Sequence, residues 1–252
     1  MRFILSLSVL FLAFNGFAQE DSSSPYTPYK AEYYIGKYND GKDFSDMEDW
    51  AESFVRWAKN KKVYDNYGIN LMTPYFHSDL TSIDVVWYGR YPNSTEQFAG
   101  LDYWINNGQS LLAKLPITNI RVVEVWQRDV SIPDNQSDSG NGYVMYLDCK
   151  LADGVTAQQE YDAYYKYALA AKEVGDNLGR KMMFPVTGMP TEWETTYDYM
   201  VVLYANSMTA YGVNNDLFWD KISGQLEEQK ALADLGSQCF NRRSYSSKII
   251  KR

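Results

Sequence analysis

The sequence predicts an α+β fold made of two tandem β-α-β-β-α-β units. Three observations predict it: the chain repeats itself at an offset of 111 residues, both copies show the same order of strand-like and helix-like segments, and a polar segment separates them. We place the first unit at residues 31–128, the linker at 129–142 and the second unit at 143–252.

The repeat is clearest where residues 45–74 fall on residues 156–185 without a gap. Seven of the thirty aligned pairs are identical, and both copies end in the pattern D-N-x-G-x-x-[LM]-M-x-P. Because so few residues are identical, the repeat is inferred mainly from physical signals that recur in the same order.

A strand-like run opens each unit, and the first helix follows an Asp-Gly pair. A capping box predicts where this helix starts: Ser45 pairs with Glu48 in the first copy, and Thr156 with Gln159 in the second. The Asp-Asn-x-Gly sequence that follows predicts the end of the helix, with the glycine as a left-handed C-cap. These glycines are Gly68 and Gly179.

The remaining segments complete a ferredoxin-like order in each unit. A short second strand ends at Pro74 in one copy and at Pro185 in the other. The other strands are predicted at residues 31–38, 83–88 and 120–126, and at residues 143–151, 199–204 and 239–250. Second helices are predicted at residues 95–105 and 216–222, with Trp104 and Trp219 on apolar faces as core residues.

The first 18 residues have the design of a secretory signal peptide. Arg2 precedes an apolar run over residues 4–14, and small residues lead up to Ala18, after which we expect cleavage. Residues 19–30 are then a flexible N-terminal segment. No later stretch is apolar enough to cross a bilayer, so we expect an exported protein, periplasmic or extracellular, without membrane insertion.

The composition narrows the class of partner. The formal net charge of −8 repels phosphate backbones, which argues against nucleic acid as a partner. The chain holds 22 Tyr, 11 Phe and 7 Trp, and such side chains line small-molecule pockets as well as filling cores. A small-molecule ligand is therefore the expected partner, while the oligomeric state stays open.

The order of strand, Asp-Gly loop, capped helix, Gly-ended turn and V-V-x-Y strand resembles the dimeric α/β-barrel superfamily. That group includes antibiotic-biosynthesis-type monooxygenases and NIPSNAP-like proteins. In it, two ferredoxin-like units pack their sheets into one barrel. The resemblance implies a pseudo-dimeric α/β barrel formed within this single chain, with a pocket between each sheet and its helices.

The same topology implies a disulfide. In a ferredoxin-like sheet the fourth strand lies antiparallel beside the first. Cys149 is near the end of the second unit's first strand and Cys239 is near the start of its last strand, so the two should meet. A bridge suits an exported chain, and two separate buried thiols are the alternative.

His77 is the only histidine, which excludes a metal cluster built on histidines. We predict no metal and no cofactor. His77 follows the second strand, where it could act as a general base or a haem ligand at a barrel mouth, or be an ordinary loop residue. Trp87, Tyr88 and Tyr204, at the ends of the third strands, are the candidate pocket residues.

Three functions remain open at this point. The first is an exported protein that binds or senses a small molecule in aromatic-lined barrel pockets. The second is a cofactor-independent enzyme of the monooxygenase or isomerase kind, with His77 as its base. The third is a structural or interaction protein whose pockets are filled by its own side chains. Fold-level likeness does not choose between them.

Overall fold

Eight antiparallel strands form one closed barrel in the computed structural model, which describes residues 24–134 and 141–252. The strands are β1 (Tyr29–Tyr38), β2 (Gly68–Pro74), β3 (Val85–Tyr91), β4 (Ile117–Ser131), β5 (Asn141–Lys150), β6 (Gly179–Thr187), β7 (Tyr199–Ala205) and β8 (Gln238–Lys251). The helices are α1 (Phe44–Ala58), α2 (Ser94–Asn107), α3 (Gln109–Leu112), α4 (Ala157–Glu173), α5 (Thr191–Glu194), α6 (Met208–Leu217) and α7 (Glu227–Asp234). A 3₁₀ turn covers Lys62–Tyr64, and a π-helical turn, Phe218–Ile222, follows α6.

The strand order around the barrel is β1-β3-β2-β8-β5-β7-β6-β4. Each half of the chain contributes four neighbouring strands, and the two halves join where β2 pairs with β8 and β4 pairs with β6. The predicted mixed α/β fold with an antiparallel barrel is therefore confirmed. The predicted signal peptide, residues 1–18, and linker residues 135–140 lie outside the described residues.

Side chains alternate between the barrel interior and the helices, as the two-residue period of a strand requires. In β1, Tyr33 packs inside the barrel, whereas its neighbour Tyr34 packs under the helices. This alternation produces three apolar clusters: one inside the barrel, one beneath α1 to α3, and one beneath α4 and α7. Every candidate site described below lies at one of these clusters.

The start of α4 follows the sequence prediction, but the start of α1 does not. Thr156 caps α4 by accepting a hydrogen bond from the Gln159 backbone N–H, and the Thr156 backbone N–H donates in return to Gln159 Oε1, which completes the capping box. In α1 the capping residue is Asp43, paired with Asp46, so the predicted box at Ser45 was wrong. An aspartate two residues earlier reaches the free N–H groups first and starts the helix at Phe44.

This difference gives a test. Thr156→Ala should lower the free energy of unfolding by about 1 kcal/mol, because α4 loses its side-chain cap. Ser45→Ala should change it by less than about 0.5 kcal/mol, since Asp43 keeps capping α1. Urea denaturation followed by circular dichroism measures both. An equal loss in the two variants would contradict the assignment of Asp43 as the cap.

Gly68 and Gly179 are not left-handed caps. They are the first residues of β2 and β6. The residues with positive φ just after α1 and α4 are instead Asn60 (φ 65°) and Gly175 (φ 105°). Glycine is needed at 68 and 179 for another reason, the close approach of a side chain from the neighbouring strand. A Cβ at 179 would lie 2.1 Å from the ring of Tyr204.

The second helix of the second half begins earlier than predicted. Ser207 caps it, and α6 runs over Met208–Leu217, so the predicted span 216–222 mostly coincides with the π-helical turn. Trp219 in that turn is 66% exposed, and its assignment to the core was wrong. Trp104 does pack in the cluster beneath α1 to α3, as expected.

The predicted disulfide is present. Cys149 of β5 and Cys239 of β8 are directly opposed in the antiparallel ladder and are bonded to each other. The bridge fastens the last strand to the first strand of the same half. Within the described part of the chain, no helix combines the length and apolar character that a bilayer crossing requires.

Candidate functional site

The barrel interior holds two cavities, one towards each end. Tyr33, Met72 and Tyr146 line both, and they separate the two spaces at mid-barrel. The first, here named the Lys181 cavity, has a volume of about 330 Å³. The second, the Arg243 cavity, has about 310 Å³. The described side chains therefore leave space inside the barrel towards both ends.

Lys181 is the central charged group of the first cavity. It projects inward from β6, and its Nζ donates a hydrogen bond to Tyr29 Oη at 2.6 Å and lies 3.8 Å from Asp129 Oδ1. The ammonium also lies 5.7 Å from the ring centre of Tyr88 and 5.0 Å from that of Tyr204. Such positions favour a cation electrostatically.

Lys181 keeps its charge despite its burial. Burial alone would lower the pKa of its ammonium, but Tyr29, Tyr88 and Asp129 oppose that effect and leave the pKa well above its usual value. Arg90 and Arg252 also line this cavity, so three cationic side chains share it with one carboxylate side chain, that of Asp129, among the described residues. The Lys181 cavity is therefore a positively charged space inside a net acidic chain.

Polar groups in the same cavity are held in fixed orientations. Gln127 Nε2 donates a hydrogen bond to Tyr88 Oη at 2.5 Å. The other end of that amide, Oε1, is buried without a protein partner. It can accept a hydrogen bond from a water or from a donor group of a ligand.

The Arg243 cavity is more apolar. Four methionines line it, together with aromatic rings from both halves of the chain: Met72, Met183, Met189, Met200, Tyr33, Trp193 and Tyr245. Arg243 forms an ion pair with Asp148 at 2.9 Å, so its charge is compensated within the protein. Trp193 Nε1 is buried without a partner.

His77 lies at the mouth of the Arg243 cavity. Its ring is half-buried, and its centre lies 5.7 Å from that of Tyr245. Its Nδ1 accepts a hydrogen bond from the Asp79 backbone N–H at 3.0 Å, which leaves Nε2 as the nitrogen available to a ligand. The assignment of His77 as a catalytic base stays a prediction.

A third pocket, of about 90 Å³, lies between the first half of the barrel and α1 to α3. Here Glu32 Oε1 accepts a hydrogen bond from Tyr67 Oη at 2.7 Å, and Trp87 Nε1 donates to the same Tyr67 oxygen at 2.8 Å. We name this the Glu32 pocket. A pocket between a sheet and its helices was one expectation of the family resemblance.

The three predicted pocket residues are thus divided between two sites. Tyr88 and Tyr204 meet in the Lys181 cavity, whereas Trp87 lies in the Glu32 pocket. The reason is that consecutive strand residues point to opposite faces. The sequence analysis did not identify Glu32 or Lys181 as site residues. Each is a charged residue within a strand otherwise rich in apolar side chains, and that pattern could have indicated both.

The corresponding compartment beneath α4 contains its own cation. Arg180 donates two hydrogen bonds to the carboxylate of Asp176, at 2.7 and 2.8 Å, and both side chains are nearly inaccessible to water. The guanidinium also lies 5.3 Å from the ring centre of Tyr167. This compartment also contains a buried acid without an ion pair among the described residues, Glu160, which accepts a hydrogen bond from Tyr199 Oη at 3.0 Å.

Comparison with known proteins yields only structural matches. No family model matches the chain, and no curated protein does. A proposed monooxygenase from Fusobacterium nucleatum subsp. nucleatum matches with a TM-score of 0.52 at 9% identity, over 89% of this chain and 92% of that one. The solved structures that this chain resembles are ferredoxin-like α/β-barrel proteins.

Two further matches have lower scores. A haem-binding protein from Thermus thermophilus has a TM-score of 0.44 at 11% identity, covering 89% of this chain and 93% of that one. Chlorite dismutase from Candidatus Nitrospira defluvii has 0.45 at 8%, covering 87% and 90%. At such identities the likeness concerns the fold alone. Within residues 24–134 and 141–252, no cluster of His, Cys, Asp and Glu is arranged to hold a metal ion.

Proposed function

We propose that this is an exported binding protein that holds a small, anionic and partly apolar molecule in the Lys181 cavity. One observation carries the proposal: a lysine lies inside a cavity of about 330 Å³ that is also lined by six tyrosines. The anionic group of the ligand would pair with Lys181. The tyrosine rings would contact its apolar part.

The charge balance of the cavity supports an anion as the ligand. Among the described residues, one carboxylate lies near this buried cation, that of Asp129 at 3.8 Å, so a second negative group is stabilised there. Arg90 would add to the attraction of an anion towards this end of the barrel.

Export and tandem duplication complete the proposal. The N-terminal pattern over residues 1–18 supports export, and a disulfide is typical of oxidising compartments outside the cytoplasm. The matching order of elements in the two halves supports an origin from two ferredoxin-like units, packed here as a pseudo-dimer.

A pair of fluorescent probes tests the ligand class. We expect 8-anilinonaphthalene-1-sulfonate, an anionic aromatic molecule, to bind the native protein. Lys181→Met should weaken its binding about tenfold or more, because the pairing charge is removed. The uncharged N-phenyl-1-naphthylamine should bind both proteins with similar affinity, because the tyrosine walls are unchanged.

Two control variants show whether the effect is specific to the charge at position 181. Lys166→Met removes an exposed lysine on α4 and should leave both affinities unchanged. Lys181→Arg should retain most of the affinity for the sulfonate. If Lys181→Met, folded as judged by urea denaturation, binds the sulfonate as tightly as the native protein, the proposed ligand class is wrong.

The second candidate function is a cofactor-independent enzyme of the monooxygenase or isomerase kind. The fold likeness to a proposed monooxygenase favours it, together with the position of His77 at the mouth of the Arg243 cavity. His77→Ala separates the two functions. Loss of turnover with retained ligand binding would support the enzyme, whereas unchanged behaviour in both assays would leave the binding protein.

A further inference from the structure

The Glu32 pocket contains a buried carboxyl group. Glu32 is 5% exposed, and no lysine, arginine or histidine in the described residues forms an ion pair with it. Burial raises the pKa of its carboxyl group, while hydrogen bonds from Tyr67, Gln97 and Tyr34 partly counteract that effect. A buried acid in this situation is stabilised by any cation that can reach it.

The hydrogen bonds around Glu32 orient it as an acceptor. Trp87 Nε1–H can only donate, so the Tyr67 oxygen accepts that bond and directs its own hydrogen to Glu32 Oε1. The chain Trp87–Tyr67–Glu32 thereby supports the carboxylate, together with the hydrogen bonds from Gln97 and Tyr34. A cation bound in the pocket would supply the positive charge that these neutral donors lack.

The pocket walls are aromatic, and no cationic side chain of the described residues lines them. Trp50 lies 5.5 Å from Trp87 and 6.4 Å from Trp104, measured between ring centres, and both contacts are edge-to-face. The remaining lining rings are Tyr34, Phe54, Tyr64, Tyr67 and Tyr91. Ring faces gathered around one acid form the kind of cage that binds ammonium groups.

The second half of the chain provides an internal comparison. Beneath α4, Arg180 pairs with Asp176 and lies against the ring of Tyr167, while a second buried acid, Glu160, accepts hydrogen bonds from Tyr199 and Ser237. Glu32 resembles Glu160 in being held by a tyrosine hydroxyl, but it also lines a pocket, so a ligand can reach it.

From these observations we infer that the Glu32 pocket binds a small organic cation, an ammonium or quaternary ammonium group, between the Glu32 carboxylate and the aromatic walls. The volume of about 90 Å³ accommodates a headgroup of a few non-hydrogen atoms. Leu112, which is 45% exposed, and Asn119 line the pocket on its outer side, between α3 and β4. This site is separate from the Lys181 cavity, and its ligand has the opposite charge.

Tryptophan fluorescence of the intact protein tests the inference, because Trp50, Trp87 and Trp104 line the pocket. The probes are tetramethylammonium and choline, with 3,3-dimethyl-1-butanol as the uncharged shape analogue of choline. We expect a saturable change with both cations and none with the alcohol. Glu32→Gln should weaken cation binding about tenfold or more, whereas Glu52→Gln, at an exposed position on α1, should not change it.

A second variant covers failure of Glu32→Gln to fold. Trp104→Leu keeps an apolar wall but removes a ring face, and it should also weaken cation binding. The inference is overturned if neither cation gives a saturable change, if the alcohol binds as tightly as choline, or if cation affinity is the same in folded Glu32→Gln and in the native protein. Since Lys181 plays no part here, Lys181→Met should bind choline normally, so the two proposals fail independently.

Discussion

Asp176→Ala should lower the free energy of unfolding by about 3–5 kcal/mol. Asp176 holds the Arg180 guanidinium through two short hydrogen bonds, and the exposed fractions of the two side chains are 2% and 3%. Alanine would leave a buried guanidinium without its counter-charge. Urea denaturation followed by far-ultraviolet circular dichroism measures the loss.

Two further variants isolate the cause. Glu227→Ala breaks an exposed ion pair with Lys230 and should cost less than about 1 kcal/mol. Replacing both buried partners, as Asp176→Leu with Arg180→Met, should recover much of the stability lost in Asp176→Ala, because no unpaired charge remains. A loss in Asp176→Ala no larger than that in Glu227→Ala would refute the buried pair.

Removing the disulfide should have an effect of similar size. The Cys149–Cys239 bridge spans a sequence separation of 90 residues, and in the chain-entropy description such a cross-link contributes about 4 kcal/mol. The double variant Cys149→Ala with Cys239→Ala should therefore unfold at a markedly lower urea concentration.

A reducing agent distinguishes the cross-link from the packing of two sulfur atoms. Added to the native protein, it should lower the midpoint of urea denaturation towards that of the double variant. The double variant itself should not respond to it. Equal midpoints for oxidised native protein and double variant would show that the bridge contributes nothing to stability.

The sequence predicted the order of elements because that order depends on local signals. The internal repeat located β8 at the C-terminus, and the topology implied by the family resemblance brought Cys149 to Cys239. Local signals failed where two residues compete for one role. Asp43 rather than Ser45 caps α1, and Gly68 allows a close strand contact instead of ending a helix.

The candidate sites were harder to predict because they are built across the barrel. Lys181 on β6 meets Tyr29 on β1, and these residues are 152 positions apart in the chain. A single sequence shows that Glu32 lies in a strand, but not that α2 and β3 enclose it. Such placement depends on which strands are neighbours, and the helix-covered face is distinguished from the interior face by only one residue of register.

Because β2 pairs with β8, the last strand of the chain, the barrel can close only after β8 has been synthesised. Asn70 on β2 donates a hydrogen bond to Ser247 on β8, across a sequence separation of 177 residues. At about 5–20 residues per second, a ribosome needs on the order of 10–35 s to make that stretch. Throughout this interval the nascent chain carries β2 as an open strand edge, which is a template for aggregation. A holding chaperone should therefore bind the partly synthesised chain and release it once the last strand has emerged.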